Sequence, residues 1–184
     1  MIPSRRRNEW RKHCPSARRS PPPCRDGDTV AMEGFTHLIP FAAGHEVIRQ
    51  GRRGLTLVRM TPDLIYDQLI GMGCADSLVF SWGGNPGVGS LHRLRDAVEN
   101  GWPRPLAIEE HSHAAMACAY EAGAAGLPFA VLRGYRGAQL PEVNPNIRSI
   151  TCPFTGEVLA SGAVDPRRRR RSSTPRRPTP RATC

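Results

Sequence analysis

The chain has 184 residues and a formal net charge of +10, but the charge is concentrated at its ends. Residues 1–25 hold eight Lys or Arg against one acid, Glu9, and residues 161–184 hold eight Arg against Asp165, so residues 26–160 carry ten basic against fourteen acidic groups. The middle therefore offers nucleic acid no basic face; no apolar run approaches the ~18 residues of a membrane span, and the N-terminus has no signal-peptide core, which predicts a soluble cytoplasmic protein with no membrane partner.

Three regions follow: a basic arm over 1–25, an α/β domain over 26–160 and an Arg/Pro-rich tail over 161–184. Both ends are rich in Arg, Pro, Ser and Thr and poor in large aliphatics, so they cannot bury enough surface to offset chain entropy and are predicted to be disordered. Arg167 to Arg171 suit phosphate, which leaves open an arginine-armed nucleic-acid or membrane-surface protein. Against that, Lys12 is the only lysine beside 25 arginines, a mark of GC-rich DNA, and both ends also read as frame or start-site artefacts. The six cysteines show no C-x-x-C pair; Cys74, Cys118 and Cys152 read as small buried or half-buried thiols in a reducing compartment, with no metal.

In chain order, Asp26-Gly27-Asp28 is a turn that launches a strand over Thr29 to Glu33. A helix follows from Phe41 to Gln50, with Ala42, Val47 and Ile48 inward and Gly51 as its stop. Leu55 to Met60 is the second strand, and Thr61-Pro62-Asp63 starts a helix with Thr61 as N-cap and Asp63 complementing the dipole. That helix carries Leu64, Ile65, Leu69 and Ile70 and ends near Gly71 or Gly73. Ser77 to Ser81 is the third strand. It stops in the glycine-rich loop SWGGNPGVGS, whose amides can turn toward an anion or carbonyl; the bland alternative is a tight connection that binds nothing. Ser90 caps the next helix, which points Leu91, Leu94 and Val98 inward. Leu106 to Glu110 is the fourth strand, Ser112 to about Ala125 a helix capped by Ser112, Phe129 to Leu132 the fifth strand, and Ile147 to Thr151 the last, after a polar loop.

Short apolar strands separated by helices predict an open, mostly parallel sheet with helices on both faces, Rossmann-like in plan. Ligands of such sheets lie beyond the carboxyl ends of the strands, so the loops GFTHLIP, MTPD, SWGGNPGVGS and EEHSH are predicted to face one crevice. Within EEHSH, His111 and His113 form a His-x-His pair without recognisable further metal ligands, and Ser112 lies in no G-x-S-x-G elbow. The segment reads either as a polar pocket rim or as a helix cap with solvated histidines.

Residues 26 to about 159 resemble the first part of the alpha subunit of family I coenzyme A transferases, of the glutaconate or 3-oxoacid type. The resemblance rests on DGDTVAMEGFTHLIPFAAGHEVIRQG, LTLVRMTPDLIYDQLIG, FSWGGNPGVGSLHRLRDAVENG, IEEHSHAAM, GLPFAVLRGYRG and CPFTGE. It implies transfer of coenzyme A between carboxylic acids, acyl-CoA as substrate without a permanently bound cofactor, and a separate beta subunit that carries the nucleophilic glutamate. It places Gly34 and Thr36 in the first anion-holding loop, Thr61 in the second, and Ser81, Gly83, Gly84 and Asn85 in the third. Glu110, Ser112 and His113 would face the acyl group, with Glu110 and His113 as candidate catalytic groups. Related alpha-like subunits acting on steroid ring-cleavage products keep a working glutamate where His113 aligns, so a histidine there argues against that hydrolase chemistry. The first loop reads EGFTH in place of a GGFG-type run, and Arg/Pro-rich sequence replaces the family's continuation after CPFTGE. This predicts an exposed sheet edge and a truncated, aggregation-prone or inactive product.

Overall fold

The computed structural model describes residues 24–34, 38–85, 87 and 89–161. The disorder expected of the two arms, and Cys14 and Cys184 with it, falls almost wholly on residues outside the described ones. Four strands, β1 (Thr29–Ala31), β2 (Leu55–Val58), β3 (Ala75–Phe80) and β4 (Ala107–Glu110), pair in parallel in that order. The helices between them are α1 (Phe41–Arg49), α2 (Leu64–Gly71) and α3 (His92–Glu99).

A sheet that grows in one direction by right-handed crossovers puts all its crossover helices on one face. Alternation along each strand then decides what each face receives. Leu55, Leu57 and Leu78 join Val47 of α1, Ile65 and Leu69 of α2 and Leu94 of α3 in one apolar cluster, each fully buried aliphatic contributing about 1.5–3 kcal/mol. Val58 and Val79 turn the other way, onto Met116 and Ala119 of α4 (His113–Ala124). The open α/β sheet with helices on both faces is thus present. Helices α1 and α2 approach closely because residue 44 is glycine: a Cβ there would stand 2.2 Å from Ile65 Cγ1.

Several expectations need correction. Of Phe129 to Leu132 only β5 (Val131–Leu132) is strand, and it belongs to a second sheet. There it pairs antiparallel with β7 (Val158–Ser161), which in turn pairs antiparallel with β6 (Ser149–Thr151). An apolar run declares a strand but not its partner, and β7 lies beyond Ile147 to Thr151, the last strand expected from the sequence. A one-turn helix, α5 (Leu140–Val143), interrupts the polar loop. Ala42 and Val98 are exposed rather than inward; Gly44 and Ala97 take the buried positions.

The caps differ too. Helix α2 starts later than expected, with Asp63 at its N-cap, and Thr61 is left free of the helix. Helix α3 is not capped by Ser90 but by a distant residue. Asp67 of α2 accepts from the amides of Arg93 (2.8 Å) and Leu94 (2.9 Å) through one carboxylate oxygen. Ser112 does cap α4, accepting from Ala115 N at 3.1 Å.

Candidate functional site

The carboxyl ends of the parallel strands open into a cleft of about 390 Å³. Gly34 comes from the first loop, Thr61 from the second, Gly84 and Asn85 from the third and His113 from the fourth, as expected of strand-end loops in this architecture.

At its rim the His113 imidazole bridges two loops. Nδ1 lies 2.9 Å from Ser81 Oγ and Nε2 3.2 Å from Thr61 Oγ1. The Ser81 hydroxyl donates to the Met60 carbonyl at 2.6 Å, so its oxygen is left to accept, and the neutral ring meets it with Nδ1–H. That tautomer presents the bare Nε2 to the Thr61 hydroxyl. Ser81, one bond behind the cleft surface, fixes which nitrogen faces the ligand space.

The floor is made of buried charge. Arg59, at the end of β2, is 2% exposed and forms a two-pronged ion pair with Asp63 (2.7 and 3.4 Å). It also donates to the Gly34 carbonyl and lies over the Tyr66 ring, 5.4 Å from its centroid. Burial pushes the Asp63 carboxyl above its usual range, more than the Arg59 charge pulls it down. Tyr66 donates to the Val58 carbonyl (2.9 Å) and accepts from the Met32 amide (3.0 Å). Glu33 accepts from the Met60 amide (3.0 Å) and from the Tyr120 hydroxyl. Burial first, and then the hydrogen bond and charge of Glu33, push the Tyr120 phenol far above its ordinary range.

The glycine loop is less open to an anion than its sequence suggests. The Gly84 amide donates to the Pro62 carbonyl (3.2 Å), and Asn85 and Gly89 exchange amide-to-carbonyl bonds of 3.1 and 2.7 Å. Asn85 Oδ1 accepts from Gly87 N at 2.9 Å, which leaves the side-chain Nδ2 as the donor of that amide. Gly34 is required by its backbone: φ is 152°, and a Cβ would stand 2.0 Å from the Leu38 carbonyl oxygen.

Of the sequence-predicted site residues, Gly34, Thr61, Gly84, Asn85 and His113 line the cleft, and Ser81 braces it. Three others lie elsewhere. Gly83 faces a separate hollow beside Leu94 and Ile108, Glu110 lines another formed with Leu140 and Asn144, and Ser112 is committed to its cap. Thr36 lies outside the described residues. Glu110 and His113 are therefore not joined in one site: Glu110 ends β4 and lines the hollow beside Asn144, whereas His113 opens α4 and lines the strand-end cleft. Sequence reasoning missed Glu33, Arg59, Asp63 and Tyr120 as lining residues; a lone arginine ending an apolar strand was the available signal.

His111 is buried against Glu109, Nε2 to Oε1 2.8 Å, and its Nδ1 has no hydrogen-bond partner among the described residues. The amide of Ser112 donates to the Tyr135 hydroxyl at 2.8 Å. Tyr135 reaches it from a left-handed backbone, φ 72°, a conformation that costs a residue with a side chain about 1–3 kcal/mol. Among the described residues no three His, Cys, Asp or Glu converge as metal ligands would, and no helix is long and apolar enough to cross a membrane.

No family model matches the chain. It is 74% identical over 136 residues to the 3-oxoadipate CoA-transferase A-subunit of Pseudomonas knackmussii, a match covering 74% of this chain and 48% of that protein. It is 32% identical over 118 residues to the glutaconate CoA-transferase A-subunit of Acidaminococcus fermentans, covering 63% of this chain and 36% of that protein. Among solved structures, glutaconate coenzyme A-transferase from A. fermentans superposes with a TM-score of 0.68 at 29% identity, over 76% of this chain and 49% of that one. A cysteine-to-serine variant of the decarboxylase AibA/AibB superposes with a TM-score of 0.67 at 29% identity, over 76% of this chain and 53% of that one. The chain spans about half the length, or less, of the curated CoA-transferase subunits it matches. Sequence and fold together make this chain similar, over about three quarters of its length, to the A-subunits of CoA-transferases.

Proposed function

We propose that this chain acts as the alpha-type half of a CoA-transferase, receiving the acyl group of an acyl-CoA in the cleft at the strand ends. Coenzyme A is a substrate here and not a resident group, and a separate beta-type subunit supplies the nucleophilic glutamate. The observation that carries this reading is the 74% identity to the 3-oxoadipate CoA-transferase A-subunit, which also points to a short dicarboxylic or 3-oxo acid as acceptor.

In this reading the partner's glutamate carboxylate attacks the thioester carbonyl, forming an acyl anhydride and releasing CoA thiolate. The thiolate then attacks the glutamyl carbonyl of the anhydride, giving a glutamyl-CoA thioester and the free acid, and the acceptor acid reverses the sequence. This chain's part is to hold the acyl group while negative charge develops on its carbonyl oxygen. The Asn85 side-chain amide is the donor supported by the cleft geometry, with Thr61 and His113 lining the wall beside it. Gly34 and Gly84 shape the wall, and Ser81 and Ser112 act by positioning, the first through His113 and the second through the start of α4.

The test is co-expression with a 3-oxoadipate-type beta subunit, followed by an assay of CoA transfer from an acyl-CoA to 3-oxoadipate. A stable complex with exchange, and no exchange by the chain alone, is the expected result. Failure to form a complex, or a complex without exchange, would overturn the reading.

A further inference from the structure

The cleft contains a nucleophile-and-base arrangement, a chemistry that CoA transfer through a partner's glutamate does not require of this chain. Thr61 Oγ1 is 3.2 Å from His113 Nε2, His113 Nδ1 is 2.9 Å from Ser81 Oγ, and the Ser81 proton is committed to the Met60 carbonyl. Read in order, these are a hydroxyl, a base whose bare nitrogen faces it, and a group that fixes the base's tautomer and plane. Those are the three parts by which a nucleophile–histidine system is recognised, whatever the fold and chain order; here a serine oxygen stands where a carboxylate is more common. Pro62 follows Thr61 and disfavours a helical backbone there, and Thr61 lies outside α2. The hydroxyl is thus spared from helix capping, and α2 takes Asp63 as its N-cap instead. Asn85 lines the same cleft with its oxygen occupied by the Gly87 amide, so its Nδ2 is the donor available to a developing oxyanion.

We propose that Thr61 takes an acyl group directly, giving the chain by itself a slow hydrolytic activity on acyl thioesters and activated esters. Thr61 Oγ attacks the carbonyl carbon as its proton passes to His113 Nε2. The tetrahedral oxyanion is met by Asn85 Nδ2–H, the carbon–sulfur bond breaks, and the imidazolium returns the proton to the leaving thiolate. Water, deprotonated by the same nitrogen, then attacks the threonyl ester and releases the acid, with the proton going back to Thr61. No co-reactant beyond water is needed. This goes beyond the transferase reading, because it requires neither a partner chain nor an acceptor acid.

The experiment uses the full chain alone, incubated with 4-nitrophenyl acetate and, separately, with acetyl-CoA. Intact mass and peptide fragmentation then locate any acetyl group. The expected result is one acetyl group on Thr61, lost in T61V, retained in T61S, and formed on the order of 100-fold more slowly in H113Q, the usual range for removal of a general base. If T61V does not fold, the position of the label on the unsubstituted chain still decides. Acetylation at a cysteine such as Cys152, labelling elsewhere, or no labelling overturns the proposal. The transferase reading is judged separately: a parent chain that takes no label on Thr61 when alone, yet exchanges CoA with a beta subunit, refutes this activity and leaves that reading standing.

Discussion

Two hollows among the described residues hold charge in opposite ways. The larger, about 720 Å³, lies between the antiparallel sheet and the loop that leads into α5. Its Arg133 and Arg136 side chains are 81% and 72% exposed, and both turn onto Glu157, whose carboxyl Arg133 holds below its usual range. The smaller is the strand-end cleft, where the Arg59 and Asp63 side chains are 2% and 4% exposed. Exposed pairs are screened by water and hold nothing firmly; buried pairs cost so much if broken that they fix the parts they join. Size alone points to the other hollow. The groups whose geometry is over-determined sit in the smaller one.

The largest expected effect tests that contrast directly. R59M removes the cation and strands a buried carboxylate, at a cost of about 3–5 kcal/mol in denaturant unfolding, whereas R59M/D63L removes both charges and restores most of the loss. If R59M cost less than about 1 kcal/mol by that measurement, the floor of the cleft would be no firmer than an exposed pair. A middle-sized effect comes from two helix starts: D67A and S112A each delete a cap and each are expected to cost about 1 kcal/mol. On the other side of the comparison, E157Q is expected to leave the thermal midpoint unchanged, since Arg133 and Arg136 are solvated with or without it; a clear drop would show that the larger hollow is braced after all. The smallest effect is at Glu46, whose carboxyl is brought to about 2 by hydrogen bonds from Arg49 and then Gln50. Because the folded value is depressed, its small contribution is present above the ordinary carboxylate range and fades as pH falls toward about 2. A carboxyl-carbon NMR titration is expected to find that midpoint, and R49A to raise it.

What the sequence disclosed was whatever is decided locally. Gly51, Gly73 and Gly101 end helices, Ser112 caps α4 over three residues, and the apolar spacing of Leu64, Ile65, Leu69 and Ile70 predicts a helix with one inward face. The strand-end rule then brought Gly34, Thr61, Gly84, Asn85 and His113 to one crevice without any knowledge of side-chain contacts. What stayed hidden is set by partners far away in the chain. Asp67 caps a helix 26 residues later, Glu33 meets Tyr120 across 87 residues, and β5 finds β7 and not the parallel sheet. Gly83 illustrates the same point. A glycine in a glycine-rich loop suggests a ligand, yet a Cβ there would stand 2.9 Å from Leu94 Cδ2, so packing against α3 is what demands it.

The cap that Asp67 provides also ties events together in time. The first free amides of α3 are satisfied by a side chain of α2, so α3 cannot complete its first turn until α2 has docked beside it. The glycine loop ends where that turn begins. Loosening of the α2–α3 contact therefore frees the helix end to which the loop carrying Asn85 is joined. The amides of Arg93 and Leu94 are the natural reporters: their hydrogen exchange follows the opening of this pair as a unit rather than the fraying of a single helix end.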